Sequence, residues 1–277
     1  MKYLWILLCA CLTACSSLPS PETRRELADS LAAKQGWQAM TIPTTSFRLL
    51  AYLPHQFEDS GSLAVYIEGD GFAWMSASQP SPNPTPLNPV GLRLALAHPQ
   101  GNAAYLARPC QYLDTDTPTC RTAYWTSQRF APELVAASNQ AIDQLKTLAG
   151  ASRITLVGFS GGGAIAALIA ARRNDVTALV TVAGNMDHEA WTRHHRISPL
   201  KGSLNPAHET SRLDQLPQVH FIGGQDRNIT LPLMQAYTNR FSGQTRPVIY
   251  QEPDFDHQCC WAEQWPSLWQ KARLSYE

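Results

Sequence analysis

The chain has 277 residues, of which 44% are apolar and 16% charged. That is enough apolar material for the core of one large domain and too much for a disordered protein. Twenty-two basic and twenty-two acidic residues cancel, and no block of like charge occurs, so there is no electrostatic footprint for DNA, RNA or an anionic membrane face, and nucleic acid is not an expected partner.

The N-terminus carries one positive charge, Lys2, followed by the apolar run Tyr3-Leu4-Trp5-Ile6-Leu7-Leu8-Cys9-Ala10-Cys11-Leu12. A run of about ten residues is too short to span a bilayer stably and fits a secretory signal. Directly after it stands Leu12-Thr13-Ala14-Cys15, which resembles the bacterial lipobox. The resemblance implies cleavage after residue 14, lipid on Cys15 and a chain tethered to a membrane of the cell envelope. Ser16 rather than Asp follows the cysteine, which by the same resemblance favours the outer membrane, on its periplasmic face or at the surface. Several acyl chains on one residue anchor firmly, where a single chain does not.

Of the seven cysteines, Cys9 and Cys11 leave with the signal and Cys15 carries lipid, so Cys110, Cys120, Cys259 and Cys260 remain. In an oxidising compartment an even remainder suggests two disulfides, with three possible connectivities. Cys110 with Cys120 closes a short loop through Pro118 and is the first choice, which leaves the vicinal pair Cys259 and Cys260. A zinc site is the rival reading, but no C-x-x-C or H-x-x-x-H spacing accompanies these cysteines, and no metal or other cofactor is expected.

Residues 15–44 read as a tether and an N-terminal helix over Glu22 to Gln35, ahead of a single domain over 45–277. In that domain strands and helices alternate. Phe47 to Leu53, Leu63 to Glu68 and Ala103 to Ala107 are β-rich runs. From Pro132, tolerated in a first turn, Leu134, Ala141, Leu145 and Leu148 recur at helical spacing until Gly150. Arg153 to Val157 reads as a buried strand, Gly158 to Gly163 as a tight turn and Ala164 to Arg173 as a small-residue helix. Strands near Ala178 to Ala183, Gln218 to Ile222 and Pro247 to Tyr250 follow, with helices at about Leu231 to Phe241 and Trp265 to Leu274. Such alternation predicts a mostly parallel sheet with helices on both faces, and sites at the carboxyl ends of the strands. Pro80, Pro82, Pro84, Pro86 and Pro89 break the pattern and mark an extended loop, either a connector or a wall of the substrate site.

Gly158-Phe159-Ser160-Gly161-Gly162 satisfies G-x-S-x-G between an expected strand and an expected helix, the context that motif requires. The rival reading is a phosphate-binding turn, but no P-loop lysine and no G-x-G-x-x-G is present. A serine hydroxyl attacks only if a histidine takes its proton and a carboxylate orients that histidine. Asp226 follows the strand Val219 to Ile222 through Gly223-Gly224-Gln225, and His257 lies in the loop after the next strand. Asp254 and Asp256 are rivals for the acid; Asp256 adjoins His257, a poor position from which to grip its ring. His188, His194, His195 and His208 fall in an expected cap, His55 and His98 precede the serine, and His220 lies within a strand. The backbone N–H of Gly161 is one candidate oxyanion donor, and a second is sought in Glu68-Gly69-Asp70-Gly71-Phe72, most naturally the N–H of Asp70. Trp74, Trp125 and Trp191 are candidates for an apolar pocket, with core packing as the alternative for each.

Strand, elbow, late acid, later histidine and a glycine-bearing early loop together resemble the α/β-hydrolase family over roughly residues 45 to 275. The resemblance implies that fold with a small cap, and hydrolysis of a small-molecule or lipid-like carboxylic ester through an acyl-enzyme, with Ser160, Asp226 and His257 as the triad. Many members carry His-Gly where this chain has Glu68-Gly69-Asp70-Gly71. Alternatives are a cell-envelope peptidase or acyltransferase of the same fold and, in another class, a non-catalytic surface lipoprotein. Arg108-Pro109-Cys110-Gln111-Tyr112 and Cys259-Cys260-Trp261 are distinctive segments without an assigned role.

Overall fold

The β-rich runs assemble into one eight-stranded sheet. In the computed structural model, which describes residues 18–275 apart from 114, 116 and 244, the elements run α1 (Pro21–Lys34), β1 (Trp37–Pro43), β2 (Arg48–Pro54), β3 (Ser62–Ile67), α2 (Val90–Leu96), β4 (Ala103–Leu106), α3 (Pro132–Leu148), β5 (Arg153–Phe159), α4 (Gly161–Ala170), β6 (Val176–Val182), α5 (His188–His195), α6 (Thr210–Leu213), β7 (Gln218–Gly223), α7 (Leu231–Thr238), β8 (Val248–Glu252) and α8 (Trp261–Arg273). The strand order is β1-β2-β4-β3-β5-β6-β7-β8. The β1–β2 and β2–β4 pairings are antiparallel and all the others parallel.

Strand side chains alternate between two cores, as the two-residue strand period requires. Leu63, Val65 and Ile67 of β3 join a cluster with α3, α4 and α7, while Ala64 and Tyr66 join the opposite cluster with α1, α2 and α8. β1, α2, α5 and α6 lie outside the expected strands and helices, and β1 precedes residue 45, where the domain is expected to begin. β1 pairs with β2 along its whole length, and Ala28 and Ala32 of α1 are buried, so the first helix and strand are built into the sheet and its core. Ser20 caps α1 by accepting from the N–H of Thr23, and Pro21 opens the helix, a favourable start on both counts.

Between β6 and β7, α5, a 3₁₀ turn at Pro206–His208 and α6 form the small cap. Among the described residues no helix is long and apolar enough to cross a membrane. The expected signal segment and Cys15 lie outside the described residues.

On the second face Trp265 is fully buried, and its indole N–H donates to Tyr66 Oη at 2.8 Å. It also meets Tyr66 and Phe221 edge-on. Removing so large a side chain forfeits its burial and leaves a cavity, so Trp265→Ala is expected to cost about 3–5 kcal/mol. Urea unfolding measures this directly, and a loss below about 1 kcal/mol would show that α8 contributes little to this core.

Candidate active site

β5 delivers Ser160 into a turn with φ 50° and ψ −120°, from which α4 begins immediately. A non-glycine residue held there is strained, and such strain persists only where surrounding structure enforces it. The enforcement is steric: a Cβ on Gly158 would collide with the carbonyl of Gly162, and one on Gly162 with the carbonyl of Ile67. The glycines of the motif thus allow β3, β5 and α4 to approach closely enough to push Ser160 outward.

The structure brings the three expected side chains together. His257 Nδ1 lies 2.8 Å from Asp226 Oδ2, and His257 Nε2 lies 3.0 Å from Ser160 Oγ. Asp226 sits in the turn after β7, its side chain wholly buried, and its other oxygen accepts from the N–H groups of Asn228 at 2.7 Å and Ile229 at 3.0 Å. With the carboxylate fixed, Nδ1–H donates to it and Nε2 is left to accept the serine proton, the tautomer this network assigns. Asp256 does not compete: its carboxylate accepts from the N–H groups of Gln258 and Cys259, at 2.7 Å each. That turn, with Trp261 Nε1 donating to Asp256 O at 3.1 Å, sets the loop from which His257 projects. Asp254 forms no hydrogen bond or ion pair with Asp226 or His257.

Neither the N–H of Asp70 nor that of Gly161 has a backbone acceptor among the described residues, so both are free to serve as donors. The loop bearing Asp70 is clamped. Glu68, fully buried, accepts from Gly69, Gly91 and Leu92 N–H groups and from Tyr105 Oη, which ties it to the start of α2. Burial pushes its carboxyl above the ordinary range, against the pull of those donors. Gln111 Nε2 donates to Gly69 O at 3.0 Å, and the Asp70 carboxylate lies between Arg129 at 2.6 Å and Arg108 at 3.3 Å.

These residues open into a cavity of about 760 Å³. Trp74 and Trp191 line it, whereas Trp125 is buried away from it and donates to Ser81 O. Pro86, Leu87 and Asn88 also line the cavity, so the end of the proline-rich loop is a wall of the pocket, while Ser81, Asn83 and Thr85 are packed beneath. Trp74, Leu87 and Ile197 remain exposed at 40%, 37% and 47% and give the mouth an apolar rim. Sequence reasoning missed Asn228, whose Nδ2 is 3.3 Å from His257 Nε2 and whose Oδ1 accepts from Trp191 Nε1 at 3.0 Å. It also missed Asn185, which lines the cavity and donates its N–H to Ser160 O.

The remaining histidines stand apart. His220 is buried in β7 against Thr181, and burial lowers its pKa to about 3. His195 Nε2 meets Asn228 O at 2.8 Å. Among the described residues no group of three or more His, Cys, Asp or Glu could hold a metal ion. The sulfurs of Cys110 and Cys120 face one another with Cα atoms 5.7 Å apart, and those of Cys259 and Cys260 are paired across one peptide bond.

No protein-family model matches the chain, and no curated protein sequence does either. Solved structures do. Est1E from Butyrivibrio proteoclasticus superposes with a TM-score of 0.57 at 15% identity, over 85% of this chain and 99% of that one. An α/β serine hydrolase homologue from Coxiella burnetii gives 0.57 at 16% identity over 87% and 97%. XC6422 from Xanthomonas campestris, an α/β serine hydrolase without a lid, gives 0.52 at 13% identity over 86% and 93%. The chain therefore has the α/β-hydrolase fold.

Proposed function

We propose that this chain is a serine hydrolase that cleaves carboxylic esters through an acyl-enzyme. The observation that carries the proposal is the continuous relay from buried Asp226 through His257 to Ser160 on its strained turn. In the first step His257 Nε2 takes the hydroxyl proton as Ser160 Oγ bonds to the ester carbonyl carbon. The developing oxyanion is met by the N–H groups of Gly161 and Asp70 at the N-terminal end of α4, where the helix dipole adds positive potential. Collapse breaks the bond to the leaving alkoxy oxygen, to which His257 returns the proton. Water, deprotonated by the same nitrogen, then bonds to the acyl carbon, and collapse breaks the bond to Ser160 Oγ, which takes the proton back from His257 as the acid leaves. The apolar rim of Trp74, Leu87 and Ile197 suits an apolar group on the substrate.

The test is turnover of a panel of p-nitrophenyl esters from acetate to dodecanoate. The expected result is saturable hydrolysis that favours chains long enough to reach the rim. Absence of turnover on every member, with peptide or acyl-transfer activity found instead, would replace the ester assignment.

The cell envelope is the proposed location, with lipid on Cys15 as the anchor. Cys15→Ser is expected to abolish incorporation of labelled fatty acid and to leave the protein unprocessed or soluble. Wild-type protein that fractionates wholly as soluble would contradict this. In that oxidising setting Cys110–Cys120 and Cys259–Cys260 are the proposed disulfides. Non-reducing peptide mapping should recover both pairs, and free thiols at all four positions would remove them.

A further inference from the structure

The side chain of Asp70, and not only its backbone, bears on the site. Its carboxylate packs against the α-carbon of Gly161: a Cβ added there would collide with Asp70 Oδ1. Gly161 is the first residue of α4 and a proposed oxyanion donor, so a fixed negative charge stands beside the place where the reaction would develop another. Left alone it would repel that charge and compete for the helix dipole.

It is not left alone. Arg129 Nη1 lies 2.6 Å from Asp70 Oδ2 and Arg108 Nη1 lies 3.3 Å from Oδ1, both guanidiniums being more than nine-tenths buried. Burial pushes the Asp70 carboxyl upward, but the two guanidiniums outweigh it and hold the group below the ordinary aspartate range. Each arginine is itself fixed. Arg129 Nε donates to Thr126 O at 2.7 Å, and its guanidinium lies over the Trp191 ring. Arg108 Nη2 donates to Arg129 O, and its guanidinium lies over the Phe130 ring.

We propose that Arg129 and Arg108 are positioning residues of the oxyanion hole: they lock the Asp70 loop so that its N–H faces the hole, and they cancel the Asp70 charge where it adjoins the start of α4. This rests on the serine-hydrolase reading and names residues that reading did not require. It also gives a role to the Arg108 to Gln111 segment, whose two polar side chains grip Asp70 and Gly69.

Asp70→Asn and Arg129→Gln both remove the ion pair but shift the local charge in opposite directions, and the amide oxygen introduced by Asp70→Asn still accepts from a guanidinium and holds the loop, which separates charge cancellation from simple packing. On a p-nitrophenyl ester, Arg129→Gln should lower kcat by about 10²-fold, the order seen on removing one oxyanion donor, with KM changed less than about threefold. Asp70→Asn, which keeps the backbone N–H and both guanidiniums, should lose under about tenfold. The double variant should recover about tenfold over Arg129→Gln alone, and Arg129→Lys should recover part of the loss. Thermal melts of each variant separate unfolding from lost catalysis. Equal losses in the two single variants, a double variant no better than Arg129→Gln, or an effect confined to KM would overturn the proposal. If Arg129→Gln does not fold, Asp70→Asn decides alone: a loss of about 10²-fold or more contradicts the charge-cancelling role, and a loss under tenfold supports it. A wild type inert to esters and to fluorophosphonate would instead remove the hydrolase reading beneath it.

Discussion

Ser160→Ala and His257→Ala are each expected to lower ester kcat by about 10³-fold or more, with the double variant scarcely worse than either. The reason is that the proposed relay makes the two groups one device. His257 Nε2, 3.0 Å from Ser160 Oγ, has no catalytic task once the hydroxyl is gone, and the hydroxyl has no base once the ring is gone. Losses that multiply in the double variant would mean that the two residues act independently, and the relay would have to be abandoned. The measurement is kcat at saturating p-nitrophenyl ester on proteins whose thermal melts match the wild type.

Asp226→Asn is the second large effect, about 10²- to 10⁴-fold in kcat with little change in KM. The size follows from what the carboxylate does here. It accepts from His257 Nδ1 and, through its other oxygen, from the Asn228 and Ile229 N–H groups. An amide can keep one oxygen toward the backbone donors only by turning its NH₂ toward the ring. Nδ1 must then accept, and Nε2 carries the hydrogen that should have come from Ser160. The variant keeps its shape and loses the tautomer. Retention of more than about a tenth of wild-type kcat would show that the ring is oriented by something else, for which Asn228, 3.3 Å from Nε2, would be the first candidate.

The geometry of the candidate site is legible because its signals are local. An elbow needs glycines flanking the serine, and Asp226 and His257 each follow a strand in chain order, so position along the chain stands in for position in space. β1 was illegible for the opposite reason. It is an edge strand in which only Ile42 is fully buried, so the alternation that betrays a half-buried strand is weak, and its place is set by pairing with β2. α2 has seven residues after a proline-rich loop, too few for helical spacing to declare itself. Arg108 and Arg129 escaped because charged residues are read as surface unless their partner is known, and the partner, Asp70, is 38 and 59 residues away. Their burial is a tertiary fact with no local signature. In the sequence Asp70 offers only its backbone N–H to the oxyanion hole, and the side chain's contact with Gly161 follows only once β3 and β5 lie side by side.

Covalent labelling tests the reactivity of Ser160 most directly. The native protein is treated with a fluorophosphonate, digested, and the adduct located by tandem mass spectrometry, with heat-denatured protein and Ser160→Ala as companions. One stoichiometric adduct is expected, on Ser160 and absent from both companions, because only a hydroxyl relieved of its proton by His257 in the folded site attacks the phosphorus. An adduct on a different serine, or native protein that stays unlabelled while its fold is intact, would contradict the assignment of Ser160 as an activated nucleophile.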